Sequence, residues 1–220
     1  FLEIINQFEI PDNKYELLSF LHMLLRISNN HHHSPEFYSK LDQILLFLKE
    51  DIKTNYSNSE IFNIFKSNKR ILLFLFEEKI IKMDKYIIKN ITKEKYLKAK
   101  YPQYFWPEIQ PFMNEKWFPT FDKTQLQNEL PDDFYECRKK GQNEGYVCRL
   151  IQNDSVEDFI TIMNKKNYSL NSIIELSIYE TNSFLIKERY EPKPVYYSYY
   201  NYVPKVIKTT LIEYAAFFGS

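Results

Sequence analysis

Apolar residues recur at three- and four-residue steps through most of the first 100 residues, and this spacing predicts a series of short helices. The first follows Asp12 and Asn13, whose side chains suit a helix N-cap. The second has Ser34 as a candidate cap and Pro35 at the first helical position, and its apolar face continues to residues 54–55.

Three shorter helices are predicted after it. Residues 58–59 and 67–68 are candidate caps for two of them, and the second of these contains the run Ile71 to Phe76. Because that run is apolar on all sides, we expect it to be buried on several sides. A last helix is expected to start at Asp84 and include Ile91, although its β-branched residues leave a strand as the alternative.

Composition changes at residue 101. Residues 101–121 contain four prolines, both tryptophans and six further aromatic residues. Disordered spacers are poor in aromatic residues, so this segment is predicted to be an ordered strap that packs along the helical surface. A helical pattern resumes after Pro131 and ends at Gly141, and two more helices are expected near 145–152 and 154–164.

Residues 188–208 are mostly aromatic residues and proline, a pattern that suits an extended hairpin or an irregular arm. Tyrosine offers a large contact area at a small cost in side-chain entropy, and we therefore expect partner contact here as readily as packing within the chain. The candidate partner-binding residues are Tyr190, Tyr196, Tyr197, Tyr199, Tyr200 and Tyr202.

Residues 210–220 read TLIEYAAFFGS and resemble the opening of an ankyrin repeat, without its proline and histidine. Residues 145–155 lie 65 positions earlier in the same frame, with Leu150 and Ile151 where the repeat usually has alanine. More widely, the chain resembles the N-terminal region of parabasalid (protist) ankyrin-repeat proteins with a domain of unknown function. The segments that carry this resemblance are 7–15, 66–70, 101–105, 154–159 and 210–220.

The resulting expectation is an all-α fold, with a helix-pair bundle or solenoid leading into degenerate ankyrin repeats. The expected units are an N-terminal helical domain (1–100), the strap (101–130) and ankyrin-like repeats (131–220), with residues 188–208 as an insertion that departs from the family. An ankyrin unit cannot bury its helical face alone, so we expect the rest of an array, missing from this segment, or a partner to cover it.

The composition argues against several classes of protein. Only three glycines occur, too few and too scattered for a phosphate-binding loop, and the longest apolar run is far shorter than a membrane span. The two cysteines, Cys137 and Cys148, are too few for a disulfide framework and fit a reducing, cytoplasmic location.

No residue pattern points to catalysis. His31, His32 and His33 are consecutive, so their side chains diverge and we expect a loop rather than a metal site. Adjacent carboxylates such as Glu77 and Glu78 also diverge on a helix. We therefore expect no enzyme activity, no catalytic residues, no cofactor and no metal.

Charge is balanced overall, with 29 basic and 29 acidic residues, but residues 66–100 hold eleven Lys or Arg against four Asp or Glu. Such a segment can attract an acidic protein surface, an anionic lipid or nucleic acid, although no nucleic-acid-binding motif accompanies it and an ordinary solvated face is the alternative. The candidate basic patch comprises Lys66, Lys69, Arg70, Lys79, Lys82, Lys85 and Lys89.

The resemblance implies generic protein binding. We expect a non-enzymatic scaffold, and specifically a structural subunit of a cytoskeletal assembly such as an axonemal microtubule, with tubulin as a candidate partner and a cytoskeletal or flagellar location. The alternatives are an adaptor that recruits soluble client proteins and a binder of nucleic acid or another anionic surface through the basic patch. No membrane partner is expected.

Overall fold

The computed structural model describes residues 13–30, 35–93, 100–119, 131–175, 177–181, 185, 189–190 and 206–219. The helices are α1 (Lys14–Asn30), α2 (Pro35–Phe47), α3 (Lys49–Asn55), α4 (Asn58–Phe65), α5 (Lys69–Glu77), α6 (Lys85–Ile91), α7 (Tyr101–Tyr104), α8 (Trp106–Ile109), α9 (Phe134–Lys140), α10 (Tyr146–Gln152), α11 (Val156–Lys166) and α12 (Leu211–Phe218). A 3₁₀ turn, Gln110–Phe112, follows α8. The expected all-α fold is confirmed.

Side-chain caps start several helices where the sequence predicts them. Asn13 accepts a hydrogen bond from the backbone N–H of Tyr15 at 3.0 Å, and Asp84 accepts one from Ile87 at 2.8 Å, so the helix at residues 85–91 is confirmed over the strand. The cap of α4 is one residue earlier than expected, because Ser57 and Glu60 form a reciprocal capping box.

The helix expected from Pro35 to residues 54–55 is divided in two. Leu48 leaves the helical geometry, with φ −85° and ψ 4°, and separates α2 from α3. Its N–H still bonds Ile44 O at 3.0 Å, and its carbonyl accepts from Ile52 N at 2.9 Å. The chain therefore bends without losing its hydrogen bonds, and both Leu48 and Ile52 are fully buried.

One large apolar core spans the first half of the described chain, from Leu17 to Ile109. The predicted burial of α5 is confirmed, since Ile71 to Leu75 are all buried. The aromatic segment goes further inside than a surface strap, because α7 and α8 bury Tyr104, Phe105 and Trp106 within this same core. Aromatic residues and short helices therefore complete the core of the N-terminal bundle.

Two smaller clusters organise the C-terminal part. One contains Cys148 and Ile151 of α10 together with Leu185, Leu211 and Tyr214, and the other surrounds Phe134 of α9. Residues 189–190 (β1) and 206–207 (β2) form a two-residue antiparallel pair in which Arg189 faces Ile207. The sequence predicts an extended hairpin or an irregular arm over 188–208, and of that range the structure describes only 189–190 and 206–208.

The cap of α5 yields a test of the bundle. Asn68 is buried, accepts from Ile71 N at 3.0 Å, and donates to Ser28 Oγ at 3.1 Å and Asn29 Oδ1 at 3.0 Å, which joins α5 to the end of α1. Asn68→Ala removes the cap and leaves buried polar groups unpaired. We expect it to lower the free energy of unfolding by about 2–3 kcal/mol in urea titrations.

The matched control is Ser57→Ala, which removes an exposed N-cap from α4. Water can replace the lost hydrogen bond there, so we expect a cost of only about 1 kcal/mol. Equal losses for the two variants would contradict the role assigned to the buried cross-link between α1 and α5.

Candidate functional site

Arg138 anchors the C-terminal part on the N-terminal bundle. The side chain is 4% exposed, and its two terminal nitrogens each lie 2.8 Å from a carboxylate oxygen of Glu108. Arg138 Nη1 also donates to Tyr104 O at 3.1 Å, and the Tyr104 hydroxyl donates back to Arg138 O at 3.2 Å. This bidentate pair fixes α9 against α7 and α8.

Lys69 forms a second anchor between the N-terminal bundle and the C-terminal part. It starts α5, is 0% exposed, and its Nζ donates to Ile178 O at 3.1 Å and Glu180 O at 3.2 Å. The ammonium also lies 5.3 Å from the ring centroids of both Tyr101 and Tyr104. Lys69 thus holds residues 178–180 against the bundle within an aromatic surround.

Burial acts strongly on this ammonium. Loss of hydration disfavours its charged form and outweighs the attraction of the Glu180 carboxylate, so the pKa of Lys69 is lowered from 10.5 to about 7. Lys69 therefore does not belong to a surface patch, which corrects the prediction that grouped it with six other cations. The physical reason is that α5 is buried on several sides, including its first turn.

Arg70 also departs from the predicted basic patch. Its Nη2 lies 2.6 Å from Asp42 Oδ2, and its guanidinium carbon is 5.2 Å from the Tyr38 ring centroid. Burial raises the pKa of Asp42 despite the opposing effect of Arg70. One terminal nitrogen of Arg70 is therefore paired with a carboxylate of the same chain.

The five remaining cations of the predicted patch are placed differently. Lys66 is half-buried and donates to Asn63 Oδ1 at 2.9 Å. The exposed ones are Lys79, Lys82, Lys85 and Lys89. Lys85 and Lys89 lie one turn apart on α6, and Lys85 Nζ is 5.8 Å from the Trp117 ring centroid. The exposed basic surface is thus narrower than predicted and centres on α6.

The tyrosine arm is described only at its base. Tyr190 is placed by its backbone in β1, opposite Val206. The other five predicted partner-binding residues lie outside the described residues, namely Tyr196, Tyr197, Tyr199, Tyr200 and Tyr202. His31, His32 and His33 also lie outside them.

The two segments with ankyrin-like spacing pack together. Helix α10 contacts both α11 and α12, and Cys148 and Ile151 of α10 share a buried cluster with Leu211 and Tyr214 of α12. Gln152 Nε2 donates to the Tyr214 hydroxyl at 2.6 Å. At the start of α12, Thr210 and Glu213 form a capping box. The two segments, which begin 65 positions apart in the sequence, therefore meet through helices of similar length.

Helix α11, which packs against α10, exposes apolar side chains to solvent. No residue of α11 is buried, and Val156 and Ile160, one turn apart, are 55% and 54% exposed. Phe159 and Met163 on its other side pack against the cluster around α10. Three further exposed apolar residues, Leu170, Ile173 and Ile212, come together because Ile212 N bonds Leu170 O at 2.9 Å and Ile173 pairs with Thr210.

A cleft opens where the two parts of the chain meet. It has a volume of about 550 Å³ and lies between α2, the ends of α9 and α12, and residues 180–181. Gly141 forms its edge with φ +68°, and a Cβ there would lie 2.9 Å from Thr181 Oγ1. Both the left-handed backbone and the close approach of Thr181 therefore require glycine at this position.

The two thiols are unreactive in character. Burial raises the pKa of Cys137, helped by its contact with Asp133, and raises the pKa of Cys148 to about 12. Among the described residues, no group of three or more His, Cys, Asp or Glu side chains could hold a metal ion. The described helices include none that is long and apolar enough to cross a membrane.

Comparison with known proteins gives no relative: no family model, curated protein or solved structure matches the chain. The ankyrin-like resemblance therefore remains an interpretation of the sequence.

Sequence reasoning missed the anchoring roles of Lys69 and Arg138. A signal existed for Lys69, since it follows the cap Asn68 in a helix whose apolar residues face all directions. None existed for Arg138, because its partner Glu108 is 30 residues away and only the fold brings them together.

The lowered pKa of Lys69 gives a pH test. Unfolded lysine titrates near pH 10.4, so between about pH 7 and pH 10 the unfolded chain holds a proton that the folded chain has lost. The free energy of unfolding must therefore rise with pH in this window. Relative to Lys69→Met, which has no such group, we expect the wild type to gain about 1 kcal/mol per pH unit between pH 7 and 9.

Urea titrations of both proteins at several pH values measure the difference between their free energies of unfolding. Because all other titrating groups are common to both proteins, their contributions cancel in this difference. At every pH we expect Lys69→Met to be less stable by about 2 kcal/mol or more, because two buried carbonyls lose their donor. A pH-independent difference would contradict the lowered pKa.

Proposed function

We propose that this chain is a non-enzymatic protein-binding scaffold whose binding surface comprises α11 and the adjacent loop at residues 168–174. The observation that carries the proposal is the exposure of Val156 and Ile160 on a helix with no buried residue. Clustered apolar side chains on a surface are typical of sites that bind other proteins.

The arrangement of the neighbouring helices supports the same function. Among the described residues, Phe159 and Met163 hold helix α11 against the cluster around α10, while Val156 and Ile160 stay exposed, so that side can take a partner without any rearrangement of the core. The contact of α10 with α12 is what stacked ankyrin units would make, and arrays of that kind bind proteins through surfaces built from several units.

The finer proposal is a structural subunit of a cytoskeletal assembly. It depends on the resemblance to protist ankyrin-repeat proteins, and the soluble-client adaptor is the competing form of the same binding function. A stable subunit should remain with its filament after salt washing, whereas an adaptor should exchange.

A double substitution tests the surface itself. Val156→Asp with Ile160→Asp places charge at two exposed positions, so we expect a change in the free energy of unfolding of about 0.5 kcal/mol or less per site. Binding of a protein partner should fall at least about tenfold, since two apolar contacts are replaced by charges that must be desolvated. A photo-crosslinking amino acid at position 160 identifies the bound protein, and titration of that protein measures the affinity.

The matched control is Tyr15→Asp with Met23→Asp, which changes two exposed apolar residues of α1. We expect this variant to bind like the wild type. If it loses the partner to the same extent, or if the α11 variant keeps it, the α11 surface is not the binding site.

Co-sedimentation with microtubules assembled from purified tubulin tests the cytoskeletal form. We expect the wild type to pellet with microtubules in a saturable manner and the α11 double variant to stay in the supernatant. Recovery of the wild type in the supernatant at all tubulin concentrations would contradict microtubules as the partner while leaving the α11 surface to be tested as above.

A further inference from the structure

The cleft between the two parts of the chain combines an apolar wall with cationic groups. Leu46 of α2 and Phe217 and Phe218 of α12 line one region, and Phe218 is held in place by stacking on Tyr214 at a centroid distance of 4.8 Å. Its volume of about 550 Å³ falls within the range of small-ligand pockets.

Arg70 lines the same cleft with most of its donors uncommitted. A guanidinium carries five N–H donors, and within the described part of the chain Arg70 uses only Nη2, which donates to Asp42 at 2.6 Å. Its guanidinium carbon lies over the Tyr38 ring, 5.2 Å from the centroid, and this contact together with the Asp42 ion pair holds the group in place. A fixed guanidinium with unused donors is suited to bind a carboxylate.

Lys139 adds a second available cation. It belongs to the last turn of α9, is exposed, and makes no hydrogen bond or ion pair with another described residue. Its neighbour Lys140 is instead paired with Glu136 at 2.8 Å. Three cations line the cleft, Arg70, Lys139 and Lys140, with two carboxylates, Asp42 and Glu180. The ion pairs of Arg70 with Asp42 and of Lys140 with Glu136 leave Lys139 as the lining cation without an ion pair to another described residue.

We propose that this cleft binds a carboxylate attached to an apolar group, with the carboxylate on Arg70 and Lys139 and the apolar group against Leu46, Phe217 and Phe218. A peptide with an acidic residue beside an aromatic one and a small aromatic acid share this chemistry. The site is separate from the α11 surface and does not rest on the function proposed for that surface.

The experiment follows the methyl NMR signals of the full chain during titration with 4-phenylbutyrate and with its uncharged amide, 4-phenylbutyramide. A second arm uses a short peptide containing Phe followed by Glu, and the same peptide with Gln. We expect saturable shifts of the Leu46 methyl signals with both acids and at least about fivefold weaker binding of both amides, since only the acids carry the charge. The methyl signals of Val156 and Ile160 should not move.

Two charge reversals identify the site. Lys139→Glu should weaken binding of either acid at least about fivefold, because it places a negative charge at the carboxylate position. Lys89→Glu is the matched control, since Lys89 is also exposed and also lies in the last turn of a helix, α6, away from the cleft lining. It should leave the affinity unchanged.

The outcomes identify the source of the ligand and test the proposal itself. Tighter binding of the peptide assigns the cleft to a partner polypeptide, and tighter binding of phenylbutyrate assigns it to a small acid; both support the chemistry. Absence of saturation below about 10 mM for both acids overturns it. Equal binding of acid and amide, or equal weakening by Lys139→Glu and Lys89→Glu, also overturns it.

Discussion

The burial of Lys69 is the constraint on which the arrangement of the two halves depends. Its ammonium cannot reach water, so it must be satisfied by the backbone carbonyls of Ile178 and Glu180. That requirement fixes residues 178–181 on the bundle. Thr181 then bonds Gly141 O through both its N–H and its hydroxyl, which positions the end of α9. The edge of the cleft therefore follows from one buried lysine.

Arg138, which lies in α9, forms the second anchor between the two parts of the chain. Its pair with Glu108 is partly buried, with the Arg138 side chain 5% and the Glu108 side chain 20% exposed, and a pair removed from water fixes geometry more than it adds stability. With Lys69, it removes two cations from the surface. Two buried basic side chains therefore hold the two parts of the chain together, while the exposed lysines of the predicted basic patch lie on and near α6.

Local structure was readable wherever short-range physics decides it. The caps at Asn13 and Asp84 and the left-handed end of α9 at Gly141 depend on neighbouring residues only, and they occur where the pattern predicts them. The break at Leu48 was not readable, because the apolar face continues through it and the bend serves burial of Leu48 and Ile52 against distant helices. The aromatic segment after residue 100 was expected to be packed, but its depth in the core depends on the space that the bundle leaves.

The sequence by itself determined the all-α character and most helix positions, since periodicity and capping are local. Only the tertiary structure decided which charges are inside. Lys69 and Arg138 resemble solvent-exposed cations in the sequence, and their burial depends on partners 109 and 30 residues away. The cleft also depends on the tertiary structure, because its apolar wall and its cations come from helices that no local sequence pattern brings together.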